Sequence, residues 1–161
     1  MVTDDELWRL LRSLDDPDHL ERPPHLDVVE TRDRFERLVA RLNAEFDCTC
    51  LAEREVEDAS LHARVEVPAE ATESGEPLVV CVSNFGNLAA VSVTNPGVWS
   101  HAEMRKLLGD DADRIFGVLD ALNYIVVPEE PLWRDYDGPS LLSTTASTSR
   151  VTWWTRYFDY V

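Results

Sequence analysis

Leu78-Val79-Val80-Cys81-Val82-Ser83-Asn84-Phe85-Gly86-Asn87-Leu88-Ala89-Ala90-Val91-Ser92-Val93 is the stretch that decides the fold. Two β-rich runs flank a short polar segment in which Gly86 and Asn87 tolerate positive φ, the chemistry of a tight hairpin. Both runs are nearly continuous in apolar residues, where a half-exposed strand would alternate, so the hairpin is predicted to lie centrally with both faces covered. Upstream, Leu61, Ala63, Val65 and Val67 alternate with His62, Arg64 and Glu66. That period of two predicts a half-buried strand with the first set inward and His62 outward. Pro68 to Pro77 is a polar loop, and Cys48 to Glu57 reads either as one more strand or as a helix exit.

Outside the meander the period is helical. Phe35, Leu38, Val39, Leu42 and Phe46 form one stripe of a helix that begins between Asp27 and Thr31. Before it, Thr3 and Glu6 form a capping box that opens a helix bearing Leu7, Leu10, Leu11 and Leu14. Downstream, Ser100 and Glu103 form a second box, and the helix they open stops at Gly109. Asp110 or Asp111 caps the next, with Ile115, Phe116, Leu119 and Leu122 inward, and Tyr124 to Val127 forms a short strand closed by Pro128. Residues 129 to 149 read as a long loop. The aromatic, β-branched run from Val151 to Val161 reads as a terminal strand that exposes about half of its rings. The expectation is one α+β domain, with a mainly antiparallel sheet of about five or six strands packed against two N-terminal helices and a central helix pair.

Composition narrows the function. The 161 residues carry 31 acids and 15 bases, for a net charge of −16. That balance argues against nucleic acid as a direct ligand and against an anionic membrane surface. The opening acids Asp4, Asp5 and Glu6 stand where a signal peptide needs positive charge, so a cytoplasmic location is expected. Three cysteines without framework spacing are expected to be reduced thiols.

Catalytic signatures are lacking: there is no Gly-rich phosphate loop, no H-E-x-x-H, no G-x-S-x-G and no C-x-x-C. No catalytic residue and no cofactor are therefore assigned, and the chain is expected not to be an enzyme. Cys48, Cys50, Cys81 and His62 add up to a zinc-compatible donor set, but C-x-C is not a usual structural spacing and Cys81 sits in an apolar run. No metal is expected. A nucleophile–base pair of Cys81 and His62 is disfavoured by the same burial. Asp135-Tyr136-Asp137-Gly138 lacks the remaining ligands of a calcium loop and reads as a turn.

Two features exceed what folding demands. Residues 1 to 58 hold 17 acids against 8 bases, and Glu53, Glu55, Glu57 and Asp58 crowd together there. The cluster is either a solvated solubility feature or a docking surface for a basic partner. Trp133, Asp135, Tyr136, Asp137 and Trp154 set aromatic rings among acids, which suits interface anchors with a polar rim unless helices or loops cover them.

In overall profile the chain resembles the small acidic immunity proteins encoded beside bacterial polymorphic toxins. The features behind the resemblance are the Glu53–Asp58 cluster, the stretch from Trp133 to Asp137, and the Trp153–Tyr160 run. The resemblance implies a cytoplasmic inhibitor that occludes the active site of a basic toxin domain. Two other readings stay open: a small-molecule-binding or catalytic α+β domain with a pocket between sheet and helices, and an acidic nucleic-acid mimic.

Overall fold

A computed structural model describes residues 2–54, 60–140, 142 and 150–159. The central hairpin is β3 (Leu78–Ser83) and β4 (Leu88–Val93), and every residue of both strands is buried. Its turn carries positive φ at Gly86 (58°) and Asn87 (56°), and the Leu88 amide donates to the Phe85 carbonyl at 3.1 Å. Two successive left-handed residues match the right-handed twist of the strands they join. Gly86 is needed twice over, because a Cβ there would meet Leu14 Cδ1 at 2.6 Å.

Around this hairpin the sheet runs β1 (Leu51–Glu53), β2 (Leu61–Val67), β3, β4, β5 (Ile125–Val126). The first four strands are antiparallel, and β5 pairs parallel to β4. A parallel neighbour requires a crossover. α3 (His101–Leu108) and α4 (Asp111–Ala121) supply it.

Three layers result. α2 (Val28–Phe46), α3 and α4 cover one face, where Phe35, Leu38 and Leu42 pack with Val65, Val80 and Ile115. α1 (Asp4–Leu14), α5 (Glu129–Leu132) and α6 (Trp153–Phe158) cover the other, where Leu7 and Leu11 pack with Val79, Leu88 and Trp153. The protein is thus α+β, with the two N-terminal helices on opposite faces. Both capping boxes form, Thr3 with Glu6 and Ser100 with Glu103.

Several expectations need correction. The C-terminal aromatic run is a helix at Trp153–Phe158, not a strand. Thr152 caps it reciprocally with Thr155, and aromatic pairs four residues apart stack on each other. All four rings are buried, so none faces outward. The segment after Pro128 holds the short α5 where a continuous loop was expected. Leu61 does not share the face of Ala63, Val65 and Val67. Leu61 pairs with Ser83 and Ala63 with Val82, so His62 is an extra residue in β2 and the bulge sends Leu61 to the α1 side. His62 itself lies edge-on to Phe35 of α2, with ring centroids 6.2 Å apart. Cys48 to Glu57 contributes the three-residue β1. Glu55, Glu57 and Asp58 lie outside the described residues, as does the Ser/Thr tract at 143–149.

Candidate functional site: an acid-walled groove at the sheet edge

The aromatic and acidic residues around the C-terminal run come together: the Trp133, Tyr136 and Trp154 rings pack inward, while Asp135 and Asp137 stay exposed and pair with arginines. Residues 134–136 pair with 151–153 through an antiparallel bridge between Asp135 and Thr152. The Tyr136 amide donates to the Val151 carbonyl at 3.0 Å, and the Trp153 amide to the Arg134 carbonyl at 3.1 Å. Trp133 stacks on Trp154 with ring centroids 5.0 Å apart, and Trp154 is only 4% exposed. Asp137 accepts from Arg12 Nη2 at 3.0 Å and from Trp153 Nε1 at 3.3 Å. The Arg12 hydrogen bond holds its carboxyl below the usual range. Asp135 is held low in the same way by its hydrogen bond to Arg150. These residues clasp the C-terminal helix to the body.

A buried ion pair completes the clasp. Arg156 Nε donates to Asp15 Oδ1 at 2.8 Å, and both side chains are fully buried. Ser140 Oγ donates to Asp15 Oδ1 at 2.6 Å, and the Tyr136 hydroxyl donates to Asp15 Oδ2. The other guanidinium nitrogens donate to the carbonyls of Leu20, Asp16 and His19. Gly138 is required here, since a Cβ would collide with Asp15 Oδ2 and the Tyr136 hydroxyl.

The thiols do not converge with His62. Cys48 and Cys50 sit on the α2 face with sulfurs 3.7 Å apart, whereas Cys81 packs on the α1 face. Burial pushes both the Cys50 and the Cys81 thiol up to about 12, which disfavours the thiolate. Among the described residues no group of three or more His, Cys, Asp or Glu is placed to hold a metal, and no helix is long and apolar enough to cross a membrane.

An open surface groove lies at the β5 edge of the sheet. Asn123 (φ 61°) reverses the chain from α4 into β5, and Pro128 ends the strand after two residues. The short strand leaves a groove of about 630 Å³ between the two helical layers. Its floor is Ile125 and Val126. One wall is α4, which presents Asp113, Phe116, Gly117 and Asp120 at i, i+3, i+4 and i+7. The other wall is the start of α1, with Val2 and Glu6. Glu6 Oε2 accepts from the Thr3 amide and hydroxyl, which holds its carboxyl below the usual range. Arg9, further along α1, adds a weaker pull in the same direction. Asp113 and Asp120 are exposed, and Phe116 is half-buried, facing the groove instead of the core interior expected for it.

Sequence reasoning read Glu6 only as a cap and missed the second stripe of α4. A glycine inside an otherwise helical run, flanked at helical spacing by two aspartates, was the available signal. Glu53, at the opposite edge of the sheet, is exposed and lies 3.7 Å from Arg64 Nε. A second cavity, about 290 Å³, opens between α3, α4 and the sheet beside His101, Arg105 and the buried Glu129. The Glu129 carboxylate is already occupied by Ser92 Oγ, the Gly97 amide and Trp133 Nε1. Among known proteins, no family, no curated sequence and no solved structure matches this chain.

Proposed function

We propose that this chain is a protein-binding inhibitor, acting without catalysis as an immunity protein that neutralises a basic toxin domain by occluding its active site. The observation that carries the reading is the β5-edge groove. It combines three carboxylates with an apolar floor, on a chain whose net charge is −16. Carboxylates at the rim attract cationic side chains, and an apolar floor rewards desolvation of the stems beneath them. Excess negative charge steers a basic partner toward the surface before contact. Where the toxin acts on nucleic acid, the carboxylates occupy positions its basic cleft reserves for phosphates. The exposed Glu53 and its neighbours Glu55, Glu57 and Asp58 add to the same field.

The test is co-expression. The neighbouring open reading frames are read for a large secreted protein with a toxic C-terminal domain, and the chain is expressed together with that domain. Growth is expected to recover, and the two chains are expected to co-purify as a stoichiometric complex. Unrelieved toxicity, or a neighbouring gene of unrelated character, overturns the reading.

A further inference from the structure

We infer that the β5-edge groove receives an extended basic segment of the partner, laid beside β5 as an added strand; this rests on the protein-binding reading above. Three observations converge on that occupant, and each is independent of the others.

The first is the strand edge. β5 ends the sheet, and its inward hydrogen bonds run from the Ile125 amide to Asn87 and from the Val127 amide to Ala89, both at 2.9 Å. By alternation the Val126 amide points away from β4, into the groove. The Tyr124 amide donates to the Leu119 carbonyl and Pro128 carries no N–H, so Val126 is the outward donor of this two-residue edge and fixes the single register at which an added strand pairs through its main chain.

The second is Gly117. It sits in the interior of α4, where glycine weakens a helix relative to alanine. Elsewhere the fold explains its glycines: Gly86 and Gly97 have positive φ and close neighbours, and Gly138 abuts Asp15. At Gly117 φ is ordinary and a Cβ would meet nothing within 4 Å. Folding does not require the missing side chain. Its consequence is a lowered wall over β5, between Phe116 and Asp120.

The third is charge. Asp113 and Asp120 lie two turns apart on α4, about 10 Å. That distance spans about three residues of extended chain. Glu6 faces them from the other wall. Arg or Lys side chains at alternate positions of the added strand project together toward the α4 wall and its Asp113 and Asp120, with their stems over Phe116. An acidic or neutral strand would gain only the backbone pairing.

The experiment is an NMR titration of the full-length 15N-labelled chain with an acetylated, amidated Arg-Val-Arg-Val-Arg-Val peptide, using a Glu-for-Arg peptide as control. Saturable shifts confined to the amides lining the groove, those of Asp113, Phe116, Gly117, Asp120 and Val126, are expected for the basic peptide only. Gly117→Trp fills the lowered wall and is expected to weaken binding at least about tenfold while the protein melts no lower than the parent. Gly117→Ala is expected to melt higher and to weaken binding less. Asp120→Lys is expected to abolish saturation at the same amides. Wild-type binding by Gly117→Trp, equal binding of the acidic peptide, or shifts spread over the whole acidic surface overturns the inference. So do dilution-dependent shifts at Val126 in the free chain, which would assign the edge to a second copy. If the peptide fails at β5 while the chain still relieves toxicity, only the groove assignment falls. If the peptide binds as described but no toxin is neutralised, only the immunity reading falls.

Discussion

Arg156 brings a permanent charge to a position with no solvent exposure, where its guanidinium donates to Asp15 and to three backbone carbonyls. The same group lies 4.5 Å from the Phe85 ring centroid and 5.1 Å from that of Tyr157. Removing one member of such a pair strands the other as an uncompensated buried charge. Arg156→Met is therefore expected to cost about 3–5 kcal/mol in urea melts. The double variant with Asp15→Asn should lose less than the two single losses combined, because neither charge is then left alone. Additive losses would show that the pair does not act as a unit. At His62 the coupling is to pH. Burial against α2 pushes this imidazole below its ordinary value, with Arg32 contributing in the same direction and a hydrogen bond to Asn84 opposing. The unfolded chain then takes up the proton more readily than the folded one. Stability from this group is complete above the unfolded value near 6.5 and is lost as pH falls through it toward the lower folded value. Denaturant midpoints measured from pH 7.5 to 5 should fall less steeply for His62→Gln than for the parent. Parallel slopes would remove His62 as a cause.

At the scale of elements, α6 shows how tertiary structure overrides propensity. Trp153, Trp154, Tyr157 and Phe158 fit a strand by composition, and they also fit a helix by spacing. The helix wins because Trp154 stacks on Phe158 at 4.8 Å, because Thr152 and Thr155 cap each other, and because Arg156 then reaches Asp15. That last partner lies 141 residues away, beyond any local reading of the sequence. Thr152→Ala should cost about 1 kcal/mol through the lost cap. An unchanged melt would mean that the aromatic stacks alone set the helix. The hairpin and α2 were legible for the opposite reason: Gly86-Asn87 and the Phe35–Phe46 stripe carry their instructions locally. Leu38 is fully buried and Arg37 faces solvent beside Glu30. Leu38→Ala is expected to cost about 2–5 kcal/mol and Arg37→Ala little. Equal losses would place the wrong face of α2 inward. The groove was legible only in part. Glu6, Asp113 and Asp120 come from α1 and α4, which are joined at the site by the arrangement of layers and by no motif.

For the whole molecule, charge and groove make separable contributions to binding. A net charge of −16 acts at a distance, and exposed carboxylates near neither wall still feed that field. Salt screens it over about 8 Å at 0.15 M ionic strength. Raising salt should therefore slow association with a basic toxin domain far more than it speeds dissociation. Converting Glu53, Glu55 and Glu57 to Gln with Asp58→Asn should reproduce most of that slowing while the variant melts near the parent. The groove works at contact. Glu6→Gln retains a capping side chain. Combined with Asp113→Asn and Asp120→Asn, it removes charges that face the bound segment at short range. That combination is expected to raise the dissociation rate at least about tenfold while leaving association closer to the parent. Stopped-flow association and surface-based dissociation on one captured toxin domain resolve the two rates. Should the 53–58 variant associate at the parental rate at low salt, that cluster is a solubility feature alone. Should the groove variant dissociate at the parental rate, the partner is held elsewhere on the molecule.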